Sequence, residues 1–568
     1  MNKVYKLLTI ATIMALMAAI PIFAGGGGQQ TEATRATAVG PNPWNARYTT
    51  PVTLTFGRDG ASYQWGAGEF FDNSIYSQYI KDTLNIEVRM AWIAGDDLAQ
   101  RITLAIASGD LPDVMFVNNR LQLEQLFQGN MVTDMTGLFN TYASPVYKAM
   151  VDSFGGLEQA MSTAFHNDRQ LAFANLNPGN QDQLFWIRED WRLQLGLPEP
   201  RTTNDFISLA DAFVRTDLAG NRQTIGFEVN GGTSMIAGHY NGVRSMDPFF
   251  NERGAYPINW HDDGTGRLVY GSITPQARET LILLRDMYDR GLIARDFATR
   301  DGNASIAAGF PGVVVGPWWT WGWPLYQTID NNPNAVWKVY PYTSSVNGRF
   351  NTMQQNFNTT WHVVRRGHPN PEALIKILNL HAEFMISDGA QSLTDAEKRE
   401  LQYSLPNEIL TAYMGRTGFD WGSWPTRIQL SFNDIIVRMS NILTIQLGEY
   451  RRGARNFGGV ELETFENILR FEAGDHSRGP QFSYMDFRGR QLQAEVSPTM
   501  NVMPIFYPSI TPTMSTRWAH LQDMEILAYT RIIMGQEPIT YFDAFVRDWL
   551  AQGCAAITDE VNQQYMNR

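Results

Sequence analysis

The sequence predicts an α/β protein of two lobes, each a mostly parallel sheet flanked by helices. Three observations predict it. Strand and helix patterns alternate over residues 52–117, which implies parallel strands joined by crossover helices. A second strand–helix unit, at 361–384, comes only after a long insertion, so the chain crosses between lobes more than once. The chain has 568 residues, 44% of them hydrophobic, which is ample for more than one lobe.

Lys3 and Lys6 precede an apolar stretch, Leu7 to Ile20, that ends at the small residue Ala24. This reads as a secretory signal cleaved near Ala24, too short to span a membrane comfortably. Ile22-Phe23-Ala24-Gly25 resembles a lipoprotein cleavage box with Gly25 where the lipidated cysteine would stand. An exported, unlipidated protein is therefore expected. Residues 25–50 read as a flexible leader, starting with four glycines.

Val52 to Phe56 alternates and is rich in β-formers. Residues 69–84 carry a helical pattern, and Ile86, Val88, Met90 and Trp92 alternate as a second strand. Asp96 or Asp97 opens a helix with Leu98, Ile102 and Ala105 on one face, and Gly109 ends it. Asp113 to Val117 is the third strand. Ligands of such sheets sit beyond the strand C-terminal ends, which makes Asp59, Tyr63, Trp65 and Asn118 candidate contacts. Turn and cap roles are the plain alternative for each.

In the middle of the chain, Leu184 to Asp190 with Trp191 suggests a strand running into a helix that ends near Gly196 and Pro198, and Thr202 to Val214 fits a capped helix. Asp217, Asn221 and Glu228 fall at positions 1, 5 and 12 of a calcium-loop pattern, but Ala219 and Ile225 vacate positions 3 and 9. A simple hairpin turn is the favoured reading, with no metal and no cofactor. Thr274-Pro275 opens another helix.

The chemistry is concentrated in Gly309–Pro324, GFPGVVVGPWWTWGWP. Val313–Val315 reads as a buried strand ended by Gly316-Pro317. Trp318, Trp319, Trp321 and Trp323 follow at its mouth. An indole offers a flat apolar face and one edge donor, which suits the C–H faces and hydroxyl edges of a sugar ring. Core packing is the competing use of four indoles. Further on, Trp337 to Tyr342 reads as a strand. Asn356 and Asn358, on the approach to the strand at Trp361–Val364, join the candidate contacts. Arg451, Arg452, Arg455, Arg470, Arg478, Arg488 and Arg490 make 447–495 arginine-rich, fitting either a grip on an acidic sugar or a solvated face of surface ion pairs.

The net charge of −12 argues against nucleic acid or an anionic membrane as partner. The lone Cys554 excludes an internal disulfide and a cysteine-based metal site. The G-x-S-x-G and H-E-x-x-H motifs are absent, and no short stretch announces a carboxylate pair for glycoside cleavage.

Three motifs carry a resemblance: LAIASGDLPDVMF around Ser108, LVYGSITPQARETLILLRDMYDRGLIARDFA around Ser272, and IIMG…FDAFV…W…G…EVNQQY at 532–565. They resemble the large oligosaccharide-type solute-binding proteins of ABC importers, the LplA-like branch of family 1. The resemblance covers most of 50–568. It implies a type II periplasmic-binding-protein fold with a ligand cleft at the hinge, an oligosaccharide-like ligand, permease transmembrane subunits as partners, a monomer and no catalytic residues. GPWWTWGWP is similar to the Gly-Pro-Trp segment lining the sugar site of maltodextrin-type relatives, which favours Trp318 first. Alginate-binding relatives carry a calcium loop; the matching 217–228 is eroded. Expected lobes are 51–165 with 357–430, and 166–356 with 431–568. An exported glycosidase or lyase, and a ligand-presenting sensor subunit, are the rival readings.

Overall fold

The computed structural model describes residues 35–567 apart from 61–64, 66–67, 96, 178–181, 237–241, 355–358, 389–394, 404, 406–423 and 427–429. The expected signal segment, Tyr63, Asn356 and Asn358 lie outside the described residues.

Two sheets organise the chain. The first contains β1 (Val52–Asp59), β2 (Ile86–Ala94), β3 (Val114–Val117), β4 (Phe173–Ala174) and β9 (Trp361–Val364), in the order β2-β1-β3-β9-β4. The second contains β5 (Leu184–Arg188), β6 (Ile225–Glu228), β7 (Pro311–Gly316) and β8 (Trp337–Tyr340), in the order β6-β7-β5-β8. The β1–β2 and β1–β3 pairs are parallel, as the alternating pattern requires. The sheets are nevertheless mixed, not mostly parallel. β9 runs antiparallel to β3 and β4, and β5 antiparallel to β7 and β8. The reason is connectivity: β9 and β5 follow crossings from the other lobe, so no local crossover helix imposes their direction.

Each sheet carries its own buried core. The first gathers Tyr48 to Leu176 with Trp361 to Ile436; the second gathers Leu184 to Phe350 with Met485 to Val561. Residues 171–176 pack in the first core. The crossings are tied on both sides. Asn175 Oδ1 accepts from the Thr359 and Thr360 amides at 2.8 and 2.9 Å. Asp182 accepts the Thr352 hydroxyl at 2.6 Å and Gln493 Nε2 at 3.0 Å. A third link is helical. The Ile435–Arg451 helix starts in the first core, and the Arg478–Val496 helix ends against the second. With Gly459–Glu472 between, they enclose a small core of their own around Leu447, Phe465 and Ile468.

Local signals explain the elements that frame the site. Thr202 and Asp205 form a reciprocal capping box on the Thr203–Thr216 helix. Gly109 ends the Leu98–Ser108 helix at φ +72°, where only glycine is unstrained. Asp113 accepts from the Thr55 amide and hydroxyl and pairs with Arg365, so it joins strands. Residues 35–50, read from sequence as leader, hold a short hairpin on the first core. Tyr48 Oη donates to Glu372 at 3.1 Å, and Lys376 Nζ to the Ala46 carbonyl at 2.5 Å.

One buried acid yields a stability prediction. Glu525, in the Met514–Met534 helix, is 1% exposed and accepts the hydroxyls of Tyr270 and Ser272 at 2.9 and 2.6 Å. Burial pushes its carboxyl up to about 7 against those two bonds. A raised acid pKa contributes stability below the unfolded value near 4.5, lost as pH rises through 7. The melting temperature of Glu525→Gln relative to the native chain is therefore expected to rise from pH 5 to pH 8, by on the order of 2 kcal/mol in stability. Scanning calorimetry at the two pH values reads it; a pH-independent difference contradicts it.

Candidate functional site

The tryptophan loop leaves the end of β7 and is pinned to the second sheet. Trp186 Nε1, from β5, lies 3.3 Å from both the Gly316 and Pro317 carbonyls, and the Thr320 hydroxyl donates to Pro317 at 2.7 Å. Trp318 is half-buried and packs against both cores. Its Nε1 is buried without a hydrogen-bond partner among the described residues. The Arg490 guanidinium lies over the ring, 4.6 Å from its centroid, a cation–π stack. Trp319 packs on the second core. Trp321 Nε1 donates to Asp486 at 3.1 Å, with its ring 5.6 Å from Phe482. Trp323 is 39% exposed, with Arg244 at 5.9 Å from its ring; its bond to Pro324 is cis.

One helix face meets this loop. Phe482, Asp486, Gly489 and Arg490, all on the Arg478–Val496 helix, fall at i, i+4, i+7 and i+8, the spacing of a single stripe. Gly489 permits the approach: a Cβ there would lie 2.5 Å from the Trp318 carbonyl oxygen. Asp486 also accepts from Arg490 Nε at 3.1 Å, and Arg490 Nη1 reaches Met439 Sδ at 3.5 Å, a residue packed on the first core. The stripe thus touches the loop of one lobe and the packing of the other.

The arginine-rich segment divides accordingly. Arg451, Arg470, Arg478 and Arg488 pair with Glu472, Asp475, Asp330 and Glu495 on the surface, and Arg455 stacks on Tyr450. Those are solvated-face contacts of small energetic weight. Arg490 alone of these stacks on a candidate tryptophan.

On the first lobe, Asp59 ends β1 and is half-buried; its carbonyl takes Arg58 Nε at 2.8 Å. Trp65 is half-buried against the first core, 5.5 Å from the ring of Phe70, which is 47% exposed. Asn118 is exposed just beyond β3. Asp59 and Asn118 stand at the C-terminal ends of the parallel strands β1 and β3, where the topology puts ligands. Trp318, Trp319, Trp321 and Trp323 cluster on the second lobe, and Trp318 is the one that reaches the first core. Asp486, Gly489, Arg244 and Phe70 were not singled out as contacts from sequence, and Arg490 was named only among the arginines of 447–495 that could grip an acidic sugar. Only the helical stripe at 482–490 carried a signal, and it needs the loop as partner to be read.

The 217–228 segment joins helix to strand, not strand to strand. Asp217 is the left-handed C-cap residue of the Thr203–Thr216 helix. Its carboxylate accepts from the Arg222 and Thr224 amides and the Thr224 hydroxyl at 2.7, 3.4 and 2.9 Å. Glu228 lies at the far end of β6, beside Arg300 at 3.6 Å. A hairpin expectation fails here because β6 pairs with β7 in parallel. Among the described residues, no group of three or more His, Cys, Asp or Glu side chains could hold a metal ion, and no helix is long and apolar enough to cross a membrane.

The family model of the bacterial extracellular solute-binding proteins matches residues 65–392, more than half the chain. The chain belongs to that family. Among curated relatives, it is 25% identical over 276 residues to the fructooligosaccharide ABC transporter substrate-binding protein FusA of Streptococcus pneumoniae, covering 46% of this chain and 48% of FusA. It is 22% identical over 238 residues to lipoprotein LipO of Bacillus subtilis, covering 40% of this chain and 44% of LipO. The matched regions thus span about half the length of these relatives. Solved structures align more fully. FusA in complex with kestose superposes with a TM-score of 0.60 at 16% identity, covering 91% of this chain and 99% of FusA. A human-milk-oligosaccharide (HMO)-binding solute-binding protein from Bifidobacterium longum infantis gives 0.59 at 14%, covering 91% and 98%. These likenesses establish the type II periplasmic-binding-protein fold.

Proposed function

We propose that this solute-binding protein captures an oligosaccharide in an aromatic-lined cleft between its lobes and delivers it unaltered to an ABC permease. One observation carries the reading: the loop of four tryptophans is anchored to the second lobe while Trp318 packs against both cores. A ring so placed senses the relation between lobes, which is what hinge closure around a guest requires. The names of FusA and the Bifidobacterium protein support the sugar class.

The protein is a monomeric, exported member of the LplA-like branch, its signal segment cleaved near Ala24. Lobe 1 is 51–176 with 357–436, and lobe 2 is 184–356 with 437–568; the joins expected at 165 and 430 move because 171–176 and 435–436 pack in the first core. The ligand contacts are Trp318, Trp319, Trp321 and Trp323 from one lobe, and Asp59, Tyr63, Trp65 and Asn118 from the other, with Asn356 and Asn358 at the crossing. No residue acts on the sugar covalently.

Titration calorimetry against a panel containing kestose, nystose, maltodextrins and uronate oligomers tests this, with reducing ends assayed afterwards. Saturable binding of at least one sugar, recovered intact, is expected. New reducing ends would convert the reading to an exported glycosidase or lyase, and no binding across the panel would remove the sugar class.

A further inference from the structure

A buried charge cluster lies behind Trp323, and binding as proposed above makes no use of it. Glu228, the last residue of β6, is 1% exposed, and among the described residues its carboxylate oxygens make no hydrogen bond of ordinary geometry. Burying a carboxylate without bonds is costly unless cations answer it. Arg300 answers it directly, its Nε 3.6 Å from Oε1. Arg244 stands farther off and acts through its charge: a Cβ added to Gly302 would lie 2.5 Å from Arg244 Nη1 and 3.0 Å from Glu228 Oε1, so both groups flank the same glycine.

Arg244 is held firmly at its backbone. It sits at φ +65°, a conformation that costs a non-glycine residue energy. Its amide donates to the Val315 carbonyl at 2.7 Å, at the end of β7, and its carbonyl accepts from the Asn230 amide at 2.9 Å. The side chain then runs between two neighbours. Nη1 donates to Asn303 Oδ1 at 3.0 Å, and the guanidinium carbon stands 5.9 Å from the centroid of the exposed Trp323 ring. Arg244 thus has an anion to one side and an exposed indole within reach, near the ends of β6 and β7.

We propose that Arg244 is a positioning residue for Trp323 and that Glu228 is its counter-ion, so that the seat of the ring follows the protonation of Glu228. With Glu228 ionised, the guanidinium is drawn inward and the indole settles over it. With Glu228 neutral, the inward pull is lost and the ring shifts. The inference rests on Trp323 facing the sugar for its functional meaning, but the coupling itself does not need a sugar.

The charged groups around Glu228 allow the change near neutrality. Burial drives its carboxyl up to about 7, with the Ser305 hydroxyl, Arg300 and Arg244 pulling it back and Asp296 adding to the rise. Asp296 is itself engaged by Arg300 at 3.0 Å. Asp301, which faces Arg244, already accepts from the Asn303 and Ala304 amides.

The test uses the ligand-free chain labelled with 5-fluorotryptophan, with the Trp323 fluorine resonance identified by its loss in Trp323→Phe. The resonance is expected to titrate between pH 5.5 and 8.5 with a midpoint near 7, to stay flat in Glu228→Gln and Arg244→Ala, and to keep part of its movement in Arg244→Lys. A native resonance that does not move, or one that moves equally in Glu228→Gln, overturns the proposal. Should Arg244→Ala fail to fold, Glu228→Gln and Arg244→Lys decide it. Because no sugar is present, failure here leaves the binding reading standing, and failure of every sugar to bind leaves this coupling untouched.

Discussion

Trp318→Ala is expected to lower affinity for the bound oligosaccharide tenfold or more in calorimetric titration. Stacking on one aromatic ring is worth about 1–3 kcal/mol, and each 1.4 kcal/mol is about a factor of ten. The geometry adds a second loss. The ring packs against both cores and carries Arg490 on its face at 4.6 Å, so truncation also frees Arg490 and loosens the junction of the lobes. Trp318→Phe restores a flat apolar face and is expected to recover most of the affinity. Equal affinity in native and Trp318→Ala would remove this residue from the site.

Gly489→Ala is expected to destabilise the chain and weaken binding together. In an exposed helix the substitution would gain up to about 1 kcal/mol from helix propensity. Here the new Cβ would lie 2.5 Å from the Trp318 carbonyl oxygen and 3.3 Å from its carbonyl carbon. Backbone atoms cannot rotate away as a side chain would, so the helix or the loop must move, at about 1–3 kcal/mol. The clash therefore outweighs the propensity. A melting temperature lower by several degrees, with affinity reduced several-fold, is the expected pair of results. A variant as stable and as tight as the native chain would show that the helix and loop are not locked together.

The sequence was legible where one stretch of chain carries its own signal. The capped helix from Thr202, the Gly109 stop and the Thr274-Pro275 helix start all appear as read. So does the strand that delivers the tryptophans. Strand direction in the mixed sheets was not legible, because β5 and β9 arrive after crossings and nothing in their residues marks which way they run. The same limit hid the far wall of the loop. Asp486 and Arg490 look like surface charges on a helix until Trp321 and Trp318 are placed against them. The hairpin reading of 217–228 missed the topology: Asp217 closes an αL helix end with its carboxylate, a role any turn aspartate fills.

Small-angle X-ray scattering on the chain with and without a saturating sugar tests the central claim most directly. Lobes that close around a guest predict a smaller radius of gyration in the saturated sample, with the change lost in Trp318→Ala at the same sugar concentration. An identical radius with and without a sugar that calorimetry shows to be bound would contradict closure between the lobes.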